Sequence, residues 1–152
     1  MTDRLPPFPE RYRAEAPRIA LIAESYARLL GKPLVDPGGD PAIALWRAPS
    51  AIVAHATEAD PLFFFGNAAA LVAFETDLDQ FIGMPSRYSA EADERAARQS
   101  LLDRVALYGF IADYAGVRVT ATGRRFRIEN AVVWNLIDEA GIRHGQAACF
   151  AP

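Results

Sequence analysis

The residues of this chain best able to do chemistry are two histidines, one cysteine, a few amides and a cluster of arginines. His55 ends an apolar run and precedes an acidic turn with Glu58 and Asp60. An imidazole there can act as a pH-sensitive group, as a polar anchor in a cavity or, with Asp60 or Asp113, as a general base. General acid–base work also needs the substrate within hydrogen-bond reach, and a histidine near acids meets only the demand for a tuned pKa. A hydrogen-bonded structural histidine is the commoner case. His144 and Cys149 stand an odd number of positions apart on one predicted strand, so they face opposite sides and cannot share an ion. No metal site is expected, zinc included.

Arg118, Arg124, Arg125 and Arg127 surround a Thr122-Gly123 turn and can grip an anion, although a solvated face is the plainer account. Asn67 precedes a run of helix formers, where its side-chain oxygen can cap exposed N–H groups without any ligand. Asn135 and Gln146 offer polar contacts if they point inward. Trp134 adjoins Asn135 on one strand, so only one of the two can face a given side.

Composition limits what such residues can serve. The 152 residues fit one domain, and a chain of that length buries roughly 70% of the surface it exposes unfolded. With 51% hydrophobic residues against 23% charged and a net charge of −3, the chain is globular and lacks the basic footprint of nucleic-acid binding. Arginines supply nearly all the positive charge, with Lys32 the sole lysine. The single cysteine forms no internal disulfide and fits a reducing compartment. Leu62 to Phe74, broken by Gly66 and Asn67, is too short to span a bilayer, and Ile19 to Ala23 is too short for a secretory segment. Cytoplasmic residence without membrane partners is the expectation.

The elements that must position these residues follow from periodicity and punctuation. Residues 1–16 are a proline-rich arm. An amphipathic helix runs from Pro17 to Leu30 with Ile19, Ile22, Tyr26 and Leu29 on its apolar stripe, Glu24 and Arg28 pairing on the wetter face and Gly31 as its stop. A Pro/Gly-rich loop and a short apolar segment ending at Leu45 and Trp46 complete an N-terminal unit, 1–45, that packs on the domain, 46–152, or on a partner. Ala51 to Ala56 and Leu62 to Phe65 read as a hairpin, followed by the Asn67-capped helix to Glu75 and a short DLDQFIG turn. A long helix is expected from Ser89, with Glu91, Asp93 and Glu94 in its first turns and Leu101, Leu102, Val105 and Tyr108 as its buried stripe. After FIADYA come three strands, with Val117, Val119 and Ala121 alternating with Arg118 and Thr120, and turns at Thr122-Gly123 and 138–141.

The segments APSAIVAHATEADPLFFFGNAAALVAFE, SRYSAEADERAARQSLLDRVALYGFI and GVRVTATGRRFRIENAVVWNLIDEAGIRHGQAACF resemble the MEKHLA domain family, a PAS-like group found in plant homeodomain-leucine zipper regulators and as small separate proteins. The resemblance implies an α+β fold: a PAS-like five-stranded antiparallel sheet with helices on one face, plus the N-terminal amphipathic helix, and the first strand beside the last. It also implies a cavity between helices and sheet, with Phe63, Phe65, Leu71, Phe74, Phe81, Tyr88, Leu102, Phe126, Ile128 and Trp134 as inward positions, although aromatic residues at such spacing more often simply fill a core. The candidate ligand-binding residues are His55, Phe63, Phe65, Tyr88, Phe126, Trp134, Asn135 and Gln146. No cofactor is assigned. The chain lacks the Gly-Arg-Asn-Cys-Arg-Phe motif of covalent-flavin photoreceptors, and neither histidine lies on the helix where haem-binding PAS domains place their ligand.

Three functions remain open. The first is a non-catalytic sensory or regulatory module that binds a small apolar ligand or a protein partner. Because the domain fills nearly the whole chain, its output is expected in trans or through dimerisation, with Ile19, Ile22, Tyr26 and Leu29 as the association stripe. The second is a small α+β enzyme with His55 as general base. The third is a structural dimerisation module without a ligand.

Overall fold

The computed structural model describes residues 6–90 and 95–152. A one-turn helix, α1 (Arg11–Ala14), and the 15-residue α2 (Ala16–Leu30) lead to α3 (Pro41–Arg47), which the Asp40 side chain caps. The hairpin β1 (Ala51–His55) and β2 (Phe63–Gly66) is followed by α4 (Ala68–Ala73), α5 (Leu78–Phe81), a 3-10 turn (Ser86–Ser89) and α6 (Arg95–Tyr108). Three long strands, β3 (Phe110–Val119), β4 (Arg125–Ile137) and β5 (Arg143–Phe150), close the chain. All pairings are antiparallel in the order β2-β1-β5-β4-β3, so the first strand lies beside the last. This is the five-stranded α+β fold expected.

The sheet is covered on both sides, which is why every residue of β1 is buried. Strand alternation divides its side chains between two cores: Ile52 and Ala54 join one, Ala51 and Val53 the other. The first core holds α1, α2 and α3 against the sheet through Tyr12, Ile22, Trp46, Phe65, Trp134 and Leu136. The second sets α4, α5 and α6 against the opposite side through Ala70, Phe74, Phe81 and Val105. Close approach of β1 and β5 depends on Gly145: at φ +148°, a Cβ there would lie 2.0 Å from the His55 carbonyl oxygen.

Several local expectations change. Strand β3 begins at Phe110, inside the stretch read as lead-in, and register shifts between Ile111 and Tyr114 and between Tyr114 and Gly116 reset its facing. Arg118 and Thr120 are consequently buried, while Val117 and Val119 are half-buried and Ala121 is exposed. Ser89 lies in the 3-10 turn, and the acidic first turns at Glu91, Asp93 and Glu94 fall outside the described residues. Only Val105 of the expected α6 stripe is fully buried; Leu101 and Leu102 are half-buried and Tyr108 is exposed, because α6 touches the sheet along a narrow line. Arg28 turns from Glu24 to donate to the Ser25 hydroxyl and the Ile137 carbonyl, tying α2 to the end of β4.

Candidate functional site

Between α6 and the sheet lies an internal cavity of about 50 Å³. Its walls are mostly apolar: Val53, Phe63, Val105, Ile111, Ile128 and Val133 come from five elements that meet only in the folded chain. Five side chains bring polar atoms to that apolar surface, namely His55, Ser89, Tyr114, Arg118 and Gln146. The Ser89 hydroxyl donates to the Ser86 carbonyl at 2.7 Å, and His55 Nδ1 donates to the carbonyl of Ala56 at 2.9 Å, which fixes its tautomer.

Gln146 is oriented by a chain of amides. Asn135 Nδ2 donates to the Val105 carbonyl at 3.1 Å, leaving Asn135 Oδ1 to accept from Gln146 Nε2 at 3.1 Å and from Arg143 Nε at 3.3 Å. Gln146 Oε1 is thereby turned away from Asn135, and it is buried without a hydrogen-bond partner among the described residues. Arg118, 9% exposed, donates from one terminal nitrogen to the Tyr114 hydroxyl at 2.9 Å, while its other terminal nitrogen, Nη1, is buried and has no partner among the described residues. Burial pushes its pKa down, a shift the tyrosine oxygen partly opposes.

Three of the eight candidate ligand residues therefore line the cavity: His55, Phe63 and Gln146. Asn135 stands behind Gln146 as its anchor. Phe126 is half-buried outside the chamber lining, its ring packed on those of Phe74 and Phe150, which do line it, at centroid distances of 5.4 and 6.2 Å. Tyr88, 52% exposed, lines a separate groove with Phe81, Met84 and Thr120. Phe65 and Trp134 face the opposite core, where the indole N–H donates to the Ile22 carbonyl at 3.0 Å. That settles the facing of Trp134 and Asn135: the tryptophan faces α2 and the asparagine α6. Ile19, Ile22 and Tyr26 are buried in the same core and Leu29 packs beside them, so the α2 stripe is occupied within the molecule.

Arg118 and Tyr114 escaped sequence reasoning. The sequence groups Arg118 with Arg124, Arg125 and Arg127 on a solvated face, but β3's register shifts turn it inward. Arg124 does remain at the surface, pairing with Glu75 at 3.0 Å, and Arg127 pairs with Glu129 at 3.0 Å. A signal was present in Tyr114-x-Gly-x-Arg118: a Cβ at Gly116 would meet the Tyr114 hydroxyl at 2.8 Å, so this glycine makes room for the phenol to reach the arginine. Asn67 does more than cap a helix. Its oxygen accepts from the Ala70 and Ile52 N–H groups, and its nitrogen donates to the Leu45 and Ser50 carbonyls.

His144 pairs with Asp138 at 2.7 Å, holding the carboxyl below its ordinary range. Cys149 packs into the α2-side core, where burial raises its thiol pKa. Among the described residues no cluster of three metal-ligating side chains occurs, and no helix is long and apolar enough to cross a membrane.

The model of the MEKHLA domain matches residues 16–152. This chain belongs to the MEKHLA domain family. Similar proteins include the homeobox-leucine zipper protein HOX29 of Oryza sativa subsp. indica, 31% identical over 71% of this chain and 12% of that protein. REVOLUTA of Arabidopsis thaliana, also a homeobox-leucine zipper protein, is 27% identical over 86% of this chain and 16% of its own length. The MEKHLA chain thus spans less than a fifth of these curated relatives. Its fold is that of PAS domains. A PAS domain from Colwellia psychrerythraea aligns with TM-score 0.61 and 17% identity over 72% of this chain and 90% of its own. The light-oxygen-voltage protein of Rhodobacter sphaeroides aligns with TM-score 0.59 and 15% identity over 70% of this chain and 60% of its own.

Proposed function

We propose that this MEKHLA domain is a non-catalytic sensory module whose ligand chamber is the cavity between α6 and the sheet, and whose occupancy is passed on in trans or through self-association. The observation that carries the reading is the chamber itself: apolar walls from all five strands and α6 with a few polar side chains among them, the usual make-up of a small-molecule site. The reading places the protein in the cytoplasm, with a small molecule as first partner and a signalling protein or second copy as the next.

The enzyme alternative draws less support. Asp60, one carboxylate considered for pairing with His55, makes an ion pair with Arg87 at 3.1 Å, and Asp113 lies 3.9 Å from Arg104. Occupancy of the α2 stripe in the chain's own core likewise weakens its role in dimerisation. Native mass spectrometry and an absorbance spectrum of freshly purified protein test the proposal. A copurified small molecule, released on denaturation, is expected; an empty protein that also fails to bind any member of a small-molecule library contradicts it.

A further inference from the structure

We propose that the chamber under α6 takes a short-chain monocarboxylate, with its anionic end on the Arg118 guanidinium and its hydrocarbon end against Val53, Val105, Ile128 and Val133. The inference rests on the chamber being a ligand site and adds the chemistry of the occupant. A guanidinium stays protonated under ordinary conditions, so Arg118 brings a positive charge to an apolar interior. Among the described residues no carboxylate pairs with it, and its one hydrogen-bond partner, the Tyr114 hydroxyl, is uncharged. Water can satisfy the unused N–H groups but cannot neutralise the charge. A buried, unpaired charge is strongly unfavourable, and a carboxylate matches the planar fork of donors.

The geometry prepares Arg118 to meet an anion. Tyr114 holds one end of the guanidinium, Gly116 leaves the space for that phenol, and Nη1 is left unengaged. The walls limit the rest of the molecule. Phosphate and sulfate, hydrated on every side, gain nothing from aliphatic neighbours, whereas a short alkyl chain does. Size sets the length: a water-sized group needs ~10–15 Å³ of such space, so a cavity of about 50 Å³ suits the smallest fatty acids. Gln146 Oε1 is the second unpartnered polar atom. Gln146 pairs across from Asn135 and Arg118 from Phe126, well apart along β4, so the amide serves a different part of the chamber from the charge.

Propionate is the probe, tested by thermal melting and ligand-observed saturation-transfer NMR on the full chain, with 1-propanol and sodium chloride at matched concentration and ionic strength as controls. Propionate is expected to raise the melting temperature progressively and to bind at least tenfold tighter than 1-propanol, with chloride giving no comparable shift. Arg118→Met should abolish the propionate effect while melting at or above the wild-type temperature, and Arg118→Lys should retain part of it. Equal effects of propionate and chloride, or undiminished propionate binding by Arg118→Met, would overturn the proposal. Should Arg118→Met fail to fold, the wild-type comparison of propionate with 1-propanol decides. Preferential binding of 1-propanol contradicts the carboxylate but leaves the sensory module standing, whereas absence of any small-molecule binding removes both.

Discussion

The two faces of the sheet are built from the same strands and solve different problems. Against α1, α2 and α3, large aromatic groups fill the space and their polar atoms are engaged: Trp134 donates to Ile22, and the Tyr12 hydroxyl both donates to the Gly66 carbonyl and accepts from its N–H. Tyr26 meets Trp134 edge-on at 4.9 Å, and Arg18 covers the Phe64 ring at 4.1 Å. Against α4, α5 and α6 phenylalanines and aliphatic side chains share the core, a cavity remains, and two buried polar atoms have no partner among the described residues. One face is therefore closely packed, and the other keeps a cavity and unused hydrogen-bonding capacity. Native interiors seldom leave buried polar groups unpaired, so two of them around one cavity carry more information than the cavity alone.

Substitutions can break that contrast, beginning with the filled face. Trp134→Ala removes a fully buried indole and its hydrogen bond to the Ile22 carbonyl, so a loss of about 3–5 kcal/mol in urea unfolding is expected. Asn67→Ala should follow at about 3 kcal/mol or more, because it orphans backbone groups on α3, β1 and α4 together. A sharper comparison uses neighbours on β5. Both residues border the chamber, but the Ala147 side chain packs into the filled core and that of Ala148 into the opposite one, so Ala147→Val should cost about 1–3 kcal/mol. Ala148→Val should instead be neutral or add about 0.5–1 kcal/mol while weakening ligand binding. Equal destabilisation by the two valines would remove the distinction between the faces.

The smallest effect lies outside both cores. Thr120, Thr122 and Arg124 hold Glu75 from its ordinary 4.5 to about 2. A carboxylate depressed on folding contributes stability that is complete above its unfolded pKa and is lost as pH falls through the folded one. Melting temperatures of wild type and Glu75→Gln should therefore differ modestly above pH 4.5 and converge as pH approaches 2.

Strand and helix order were legible because turns and periodicity are local: the Asn67 cap, the Thr122-Gly123 turn and the apolar stripe of α2 all have short-range signatures. Facing on β3 was not, since a register shift leaves no mark in an alternating pattern, and this hid Arg118. Nor could spacing alone decide between Trp134 and Asn135. Parity places them on opposite sides of β4, but which side holds the cavity depends on where α2 and α6 dock. The α2 stripe shows a similar limit, because amphipathicity demands a cover and does not say whether the cover is the chain's own sheet.

The central claim, that one face is filled and the other receives a ligand, is tested most directly by methyl NMR with propionate titrated into the full chain. The account predicts that the methyl resonances of Val53, Val105 and Val133 shift in a saturable manner while those of Ile22, Ile52 and Leu136 remain in place. Unmoved resonances around the chamber, or equal shifts on both faces, would contradict it.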